Sequence, residues 1–145
     1  MKSLNNNITL DHGSGGYASW ELLKEIRGIL KFKDKWQNTE DDGAVFDLGK
    51  EKLVFTTDAF IVDPIFFPGG DIGKIAICGT INDLAVMGAK PLGISLSIVI
   101  EEGFSRTDLM KIISSINKIS VQLGVPIVTG DTKVLEKGKI DKIEI

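Results

Sequence analysis

The chain has 145 residues, enough for one domain with a substantial core, and its 43% hydrophobic and 26% charged residues are ordinary for a globular protein. A net charge of −3 gives no field that attracts nucleic acid or an anionic membrane, and Cys78, the single cysteine, excludes an intrachain disulfide. Without a recognisable signal peptide or a membrane-length apolar run, the sequence predicts a cytoplasmic protein that binds neither nucleic acid nor membrane.

Apolar spacing and turn residues predict elements that alternate between helices and strands. In chain order they are a helix over residues 17–30, a polar loop over 31–40, strands over 44–48 and 52–58, a loop over 61–70, a helix over 72–87, a strand over 91–100, a helix over 106–123, and strands over 125–135 and 139–145. Asp71 and Ser105 are the expected N-caps of the second and third helices, and Gly88 and Gly124 are expected to end them. This order predicts an α+β fold, with a mostly antiparallel or mixed sheet and helices on one face.

The predicted strand over residues 91–100 is uncharged on both faces. Its apolar side chains alternate with small or apolar ones, in the order Ile94, Ser95, Leu96, Ser97, Ile98, Val99 and Ile100. Because helices are expected on one face only, a partner subunit could cover the other, so this sheet face is a predicted dimerisation surface. The last predicted strand stops on Ile145 without a turn, so we expect residues 1–145 to be a single domain of a longer protein.

Five aspartates lie beside small residues or threonine at the edges of apolar runs. They are Asp41, Asp42, Asp58, Asp83 and Asp131. Each alone has an alternative interpretation, since Asp-Gly favours a turn, a strand-end carboxylate can cap a loop, and a helical one can serve a core partner. Converging carboxylates repel one another unless a cation joins them, and Mg²⁺ prefers oxygen ligands completed by phosphates. Together the five therefore predict a magnesium-nucleotide site, with each as a candidate metal ligand.

Two glycine-rich segments open predicted helices and are candidates for binding phosphates. Gly13, Ser14 and Gly15 precede the first helix, whose N-terminal N–H groups favour an anion, although a flexible arm is the alternative. Lys74 falls in the first turn of the second helix, where a cation is unfavourable unless an anion lies nearby. Neither segment has the spacing of a Walker A loop.

His12 and Cys78 carry weaker signals. His12 is the only histidine and could carry protons, but a lone histidine in a loop is more often incidental. Cys78 falls in an apolar helical stretch, so we interpret it as a small buried side chain and not as a nucleophile.

Several motifs in the same order resemble one family. DDGAV at 41–45, TTD at 56–58, NDLAVMGAKP at 82–91 and TGDTK at 129–133 resemble the N-terminal domain of the PurM-like ATP-binding superfamily, which includes aminoimidazole ribonucleotide synthetase. HGSGG at 12–16, DPIFFPGGDIGK at 63–74 and IEEGF at 100–104 are similar to the HypE family of hydrogenase maturation factors in particular. The resemblance runs from about residue 8 to residue 145.

The resemblance implies an enzyme that uses ATP to dehydrate a carboxamide carried on its own C-terminal cysteine, which gives a thiocyanate for the cyanide ligands of nickel–iron hydrogenases. It also implies a homodimer whose partners are the carbamoyltransferase HypF and the HypC–HypD complex. Carried over by motif, the residues implied to hold Mg²⁺ and the ATP phosphates are Asp41, Asp42, Asp58, Asp83 and Asp131, with Lys74 paired to phosphate.

The 145 residues contain neither the second α/β domain nor the cysteine tail of full family members, and Cys78 does not match the tail position. We therefore assign no catalytic residue and expect the isolated chain to be inactive. Two alternatives stay open. One is another ATP-dependent member of the superfamily such as thiamine-monophosphate kinase, opposed mainly by residues 66–74. The other is a noncatalytic dimerisation or scaffold module.

Overall fold

The computed structural model describes residues 7–30 and 35–145, and the chain divides into two compact parts, Met1–Lys35 and Trp36–Ile145. The first part contains a short 3-10 helix, Leu10–Gly13, and helix α1, Gly16–Ile29. The helix predicted over residues 17–30 is thus confirmed to within one residue. None of its side chains is buried, so its stripe of apolar residues is exposed within this part. The predicted loop over residues 31–40 is only partly tested, because residues 31–34 lie outside the described residues.

The second part opens with a small antiparallel sheet. Its strands are β1, Trp36–Gln37, β2, Ala44–Asp47, and β3, Lys52–Phe55, in the order β1-β2-β3. Strands β2 and β3 form the predicted hairpin, with Ala44 opposite Phe55 and Asp47 opposite Lys52. Strand β2 begins directly after Asp42 and Gly43, and strand β3 ends directly before Thr56. Because the two strands are antiparallel, two of the sequence motifs lie at one end of the hairpin.

The prediction of a loop over residues 61–70 is wrong in part. It contains strand β4, Phe66–Phe67, which pairs antiparallel with β5, Gly70–Asp71, to form a short ribbon. Pro68 and Gly69 turn the chain between the two strands, and Gly69 has a φ of +94°, a conformation that glycine adopts without strain. These turn residues hid the pairing from the sequence pattern because each strand is only two residues long.

The remaining elements form the main layer of the molecule. They are helix α2, Ile72–Val86, strand β6, Ile94–Glu101, helix α3, Arg106–Leu123, strand β7, Ile127–Leu135, and strand β8, Ile143–Glu144. The sheet order is β7-β6-β8, with β6 parallel to β7 and antiparallel to β8. The expected caps are confirmed, since Asp71 accepts from the Lys74 N–H, Ser105 accepts from the Asp108 N–H, and Gly124 is left-handed.

The core lies between the two helices and one face of this mixed sheet. Its buried members, nearly all isoleucines, are Ile72, Ile77, Ile94, Ile98, Ile100, Ile112, Ile116, Val125 and Ile143. Ser95 and Ser97, which alternate with them on β6, are exposed. The predicted α+β fold with helices on one face is therefore confirmed, and the second sheet face is uncovered within the described chain.

The last strand is shorter than the predicted 139–145. Lys142 has a φ of +65°, which interrupts extended backbone, and only Ile143–Glu144 pairs with β6. In the described part of the chain, no helix is both long and apolar enough to cross a membrane.

Candidate functional site

Two carboxylates from distant motifs meet beside the end of the β2–β3 hairpin. Asp83 lies in the last turn of α2, and its Oδ2 accepts a hydrogen bond of 3.1 Å from the Thr56 hydroxyl. Asp58 lies close enough to Asp83 for their carboxyl groups to share a hydrogen bond. Three sequence motifs, DDGAV, TTD and NDLAVMGAKP, are thereby brought to one place.

Burial and like charge raise the pKa of Asp58 above its ordinary value. The largest cause is partial burial, followed by the negative charge of Asp83, the hydrogen bond with Asp83, and the charge of Asp42. A carboxyl group that holds its proton more tightly because of two neighbouring carboxylates indicates a site of unbalanced negative charge. Such a site is stabilised by a cation.

The local packing explains why these segments approach so closely. Gly43 follows Asp42, and a Cβ at Gly43 would lie 2.8 Å from Val54 Cγ1 and 3.3 Å from Met87 Cγ. A side chain at this position would therefore press on both β3 and the end of α2. The absence of one lets the start of β2 lie against the helix that carries Asp83.

Of the three aspartates, Asp58 lines two small cavities. A cavity of about 130 Å³ is lined by residues that include Thr56, Asp58 and Thr80, and one of about 90 Å³ is lined by Asp58, Thr80 and Ser97 among others. A larger open groove of about 810 Å³ is bounded by strand β3, by Leu84 of α2 and by the segment 87–93, and none of the three aspartates lines it. Its volume lies in the range of small-molecule sites.

Asp41 and Asp131 make other contacts. Asp41 Oδ2 accepts a 2.8 Å hydrogen bond from Asn38 Nδ2. Asp131, exposed on β7, pairs with Lys133, and that hydrogen bond and charge lower the pKa of Asp131. The charges that act on Asp58 are those of Asp83 and Asp42, so the structure brings Asp58 and Asp83 together, with Asp42 within range of Asp58.

Lys74 is held at the far end of the same helix. Its Nζ donates a 2.9 Å hydrogen bond to the Gly69 carbonyl in the turn of the β4–β5 ribbon. Nine residues separate Lys74 from Asp83, which places the two side chains on opposite sides of α2, about 13 Å apart along its axis. The structure therefore does not bring Lys74 to the acidic cluster.

The remaining predicted phosphate-binding residues lie in the N-terminal part. The Ser14 hydroxyl donates to the Leu10 carbonyl at 2.8 Å, and Gly15 is the N-cap of α1 with a φ of +78°. His12 Nδ1 accepts a 3.1 Å hydrogen bond from the Thr9 N–H. These contacts give Gly13, Ser14 and Gly15 a defined local turn before the helix.

Sequence reasoning missed the residues around the carboxylates. It did not identify Thr56 as the donor to Asp83, nor the groove over residues 88–93. The signal for Thr56 was the Thr-Thr pair directly before Asp58 at a strand end, where a hydroxyl can face a carboxylate. No periodicity in the sequence indicates the groove, because it forms between the hairpin and the segment after α2.

The donor set fits a hard divalent cation that binds through an open site. Carboxylate oxygens are the ligands Mg²⁺ prefers, and Mg²⁺ is commonly held by one or two carboxylates, with water and phosphate completing its shell. Within residues 7–30 and 35–145, no group of three His, Cys, Asp or Glu side chains is placed to hold a metal ion without further ligands. The pair Asp58 and Asp83, with Asp42 nearby, therefore suits a cation shared with a phosphate ligand.

Comparison with known proteins places the chain in a family. Residues 40–145 match the model for AIR synthase related protein, N-terminal domain, and the chain belongs to this family. It is 47% identical over 143 residues to the carbamoyl dehydratase HypE of Rhizobium leguminosarum bv. viciae, covering 97% of this chain and 40% of that protein. The chain thus spans about two-fifths of the curated relatives it matches.

Solved structures agree with the predicted PurM-like fold. The chain is similar to a chain in the crystal structure of a HypE–HypF complex, with a TM-score of 0.73 and 45% identity over 85% of this chain and 39% of that one. It is also similar to HypE in complex with ATP, with a TM-score of 0.61 and 38% identity over 95% and 41% of the two chains. A ThiL complexed with AMPPCP and TMP has a TM-score of 0.65 at 17% identity over 97% and 42%, a likeness of fold alone.

Proposed function

We propose that this chain is the nucleotide-binding part of an ATP-dependent carbamoyl dehydratase of nickel–iron hydrogenase maturation, acting in the cytoplasm. The observation that carries the proposal is the approach of Asp58 to Asp83, with the charge of Asp42 acting on Asp58, beside two small cavities that Asp58 lines. The likeness to HypE solved with ATP supports ATP as the occupant.

The proposed chemistry begins with transfer of the ATP γ-phosphoryl group to the amide oxygen of an enzyme-bound thiocarboxamide. Loss of phosphate and protons then leaves a thiocyanate, so the amide has lost the elements of water. Mg²⁺, when bound, neutralises charge on the transferring phosphates. Asp58 and Asp83 are proposed to hold the metal, with Asp42 adding negative charge beside it.

The other predicted site residues have weaker support from the geometry. Asp41 and Asp131 are proposed as further metal ligands, and Lys74 as a phosphate partner, but each makes a different contact in the structure. Gly13, Ser14 and Gly15 are proposed to donate backbone N–H groups to phosphate at the start of α1.

The proposal includes partners and a limit on activity. We propose that the protein forms a homodimer and works with HypF and the HypC–HypD complex, and a HypE–HypF complex among similar structures supports the first of these two partners. We also propose that residues 1–145 alone do not complete the reaction. Cys78, the only thiol, is half-buried in α2 and is not a suitable carrier of the carboxamide.

A calorimetric titration of ATP, with and without Mg²⁺, tests the proposal on the wild-type chain and Asp83→Asn. We expect the wild-type chain to bind ATP more tightly with Mg²⁺, and Asp83→Asn to bind it equally weakly in both conditions. The unfolding temperature of metal-free Asp83→Asn should not fall, because the change removes a charge that opposes Asp58. ATP hydrolysis, measured in parallel, should be slow and unaffected by HypF and carbamoyl phosphate.

Asp141→Asn is the matched control, because Asp141 is an exposed carboxylate that lies near Lys142. It should bind Mg-ATP like the wild-type chain. Unchanged Mg-ATP affinity in Asp83→Asn would remove Asp83 from the metal site. A lower unfolding temperature with intact affinity would instead assign it a structural role, and the absence of any ATP binding by the wild-type chain would favour a scaffold module.

A further inference from the structure

The contact between Thr56 and Asp83 joins two segments that are 27 residues apart. Thr56 follows directly after β3, and Asp83 lies in the last turn of α2. Both side chains are half-buried, so their 3.1 Å hydrogen bond is partly shielded from competing water.

The segment that carries Thr56 is held at both ends. At one end Phe55 pairs with Ala44 in the hairpin. At the other, Phe60 exchanges two backbone hydrogen bonds with Ile145, of 2.6 and 3.2 Å. Thr56 is therefore placed by paired backbone on both sides, although its own segment is irregular.

Helix α2 approaches this segment through a glycine. A Cβ at Gly79, one turn before Asp83, would lie 2.6 Å from the Phe60 ring. The missing side chain lets the helix and the segment pack closely enough for the Thr56 hydroxyl to reach Asp83. Thr56 and Asp83 thus meet across a close contact of fixed elements, which is the arrangement that orients a ligating side chain reproducibly.

Without the hydrogen bond from Thr56, repulsion between carboxylates would favour rotamers that move the Asp83 carboxylate away from its neighbours. Asp58 and Asp42 carry the same charge nearby, and a carboxylate on a helix has several accessible rotamers. The Thr56 hydroxyl is a neutral donor to Oδ2, which leaves Oδ1 for another partner. Hydrogen bonds of this kind to ligating carboxylates commonly change metal affinity by about 10- to 100-fold when removed.

We propose that Thr56 is a positioning residue, whose hydroxyl holds the Asp83 carboxylate beside Asp58. The effect of Thr56 on metal binding rests on the proposed function. The effect of Thr56 on the Asp83 rotamer does not, so metal binding and the rotamer can be measured separately. Thr56 itself is not assigned as a metal ligand.

The first measurement is the χ1 rotamer of Asp83, taken from three-bond scalar couplings in the metal-free protein. The wild-type chain and Thr56→Ser should each show one dominant rotamer, because both keep the hydroxyl. Thr56→Val, which keeps the shape but loses the donor, should show averaged couplings. A single unchanged rotamer in Thr56→Val would overturn the proposal.

The second measurement is the Mg²⁺ concentration that gives half-maximal ATP binding. We expect Thr56→Val to raise it about tenfold and Thr56→Ser to restore it to near the wild-type value. Thr107→Val, the same change at an exposed position of α3, is the matched control and should leave it unchanged. A purely structural role for Thr56 would lower the unfolding temperature and leave both the rotamer and the Mg²⁺ dependence intact, which would overturn the proposal.

The two measurements also separate this proposal from the proposed function. If the wild-type chain binds ATP without regard to Mg²⁺, the proposed function fails. The rotamer measurement then decides alone whether Thr56 positions Asp83.

Discussion

At the candidate site, the surroundings of Asp58 disfavour the ionised form of its carboxyl group. Its pKa is raised from 3.8, first by burial and then by Asp83 and Asp42, so the folded chain binds this proton more tightly than the unfolded chain does. The stabilisation is therefore present at pH values below the unfolded pKa and is lost as the pH rises through the folded pKa. At neutral pH the ionised Asp58 opposes folding of the metal-free protein.

We accordingly expect Asp58→Asn to raise the unfolding temperature of the metal-free chain at pH 7, by about one or two degrees. The difference from wild type should shrink at a second, acidic pH below the raised pKa of Asp58, where the carboxyl group is protonated. Differential scanning calorimetry in EDTA at the two pH values measures both effects.

Asp131→Asn is the matched control for this experiment because its shift has the opposite sign. Lys133 lowers the pKa of Asp131, so the ionised carboxylate favours folding at pH 7 and its removal should lower the unfolding temperature slightly. A lower unfolding temperature in Asp58→Asn at pH 7 would contradict the electrostatic description of the cluster.

At the scale of the elements, the packing of α2 on α3 depends on a glycine. A Cβ at Gly73 would lie 2.9 Å from the Ile112 carbonyl oxygen and 2.8 Å from Ile116 Cγ1. The carbonyl belongs to the α3 backbone and cannot turn aside as a flexible side chain could. The contact matters to the site because α2 carries Asp83 at its other end.

Gly73→Ala should therefore destabilise the protein although alanine favours helix by about 1 kcal/mol. Overpacking in a close core contact typically costs about 1–3 kcal/mol, and we expect this cost to exceed the gain. Urea unfolding monitored by circular dichroism measures the net change.

Gly28→Ala is the matched control, because a Cβ at Gly28 in α1 would have no atom within 4 Å of it. It should leave the unfolding midpoint unchanged or raise it. An unfolding midpoint for Gly73→Ala at or above that of the wild-type chain would show that α3 can shift to accommodate the methyl group.

At the scale of the whole molecule, the sheet of β6, β7 and β8 leaves a large surface uncovered. Every residue of β7 is exposed, and by register its Asp131 and Leu135 lie on the same sheet face as Ser97 and Val99 of β6. On β6, Ser95 and Ser97 face away from the helices and are also exposed. A partner subunit that covers this surface would bury these side chains, which is why the homodimer stays a prediction of this fold.

We expect the wild-type chain to sediment as a dimer at tens of micromolar and Leu135→Glu, on the uncovered face, to shift it towards monomer. A buried carboxylate without a partner is costly at such an interface. Val121→Glu on α3, where Val121 is 71% exposed, is the matched control and should remain dimeric. A monomeric wild-type chain at these concentrations would argue against a dimer through this sheet.

The sequence by itself determined most of the element boundaries and the family. The caps at Asp71, Ser105 and Gly124 depend on hydrogen bonds within a few residues, so local sequence encodes them directly. The family motifs are equally local, because each is a short run of adjacent residues. The β4–β5 ribbon was missed because each of its strands has only two residues, which is too short to show an alternating pattern. The Pro-Gly turn between them was therefore interpreted as part of a loop.

Only the tertiary structure decided which carboxylates lie close together. Asp58 and Asp83 converge because the hairpin end packs against α2, a contact between segments that are far apart in sequence. Asp131 instead pairs with Lys133 on the same strand, and Lys74 donates to the Gly69 carbonyl in the turn before α2, although the sequence had grouped both with the site. A residue's type and neighbours can indicate the chemistry it offers, but the distances that unite charges come from the packing of whole elements.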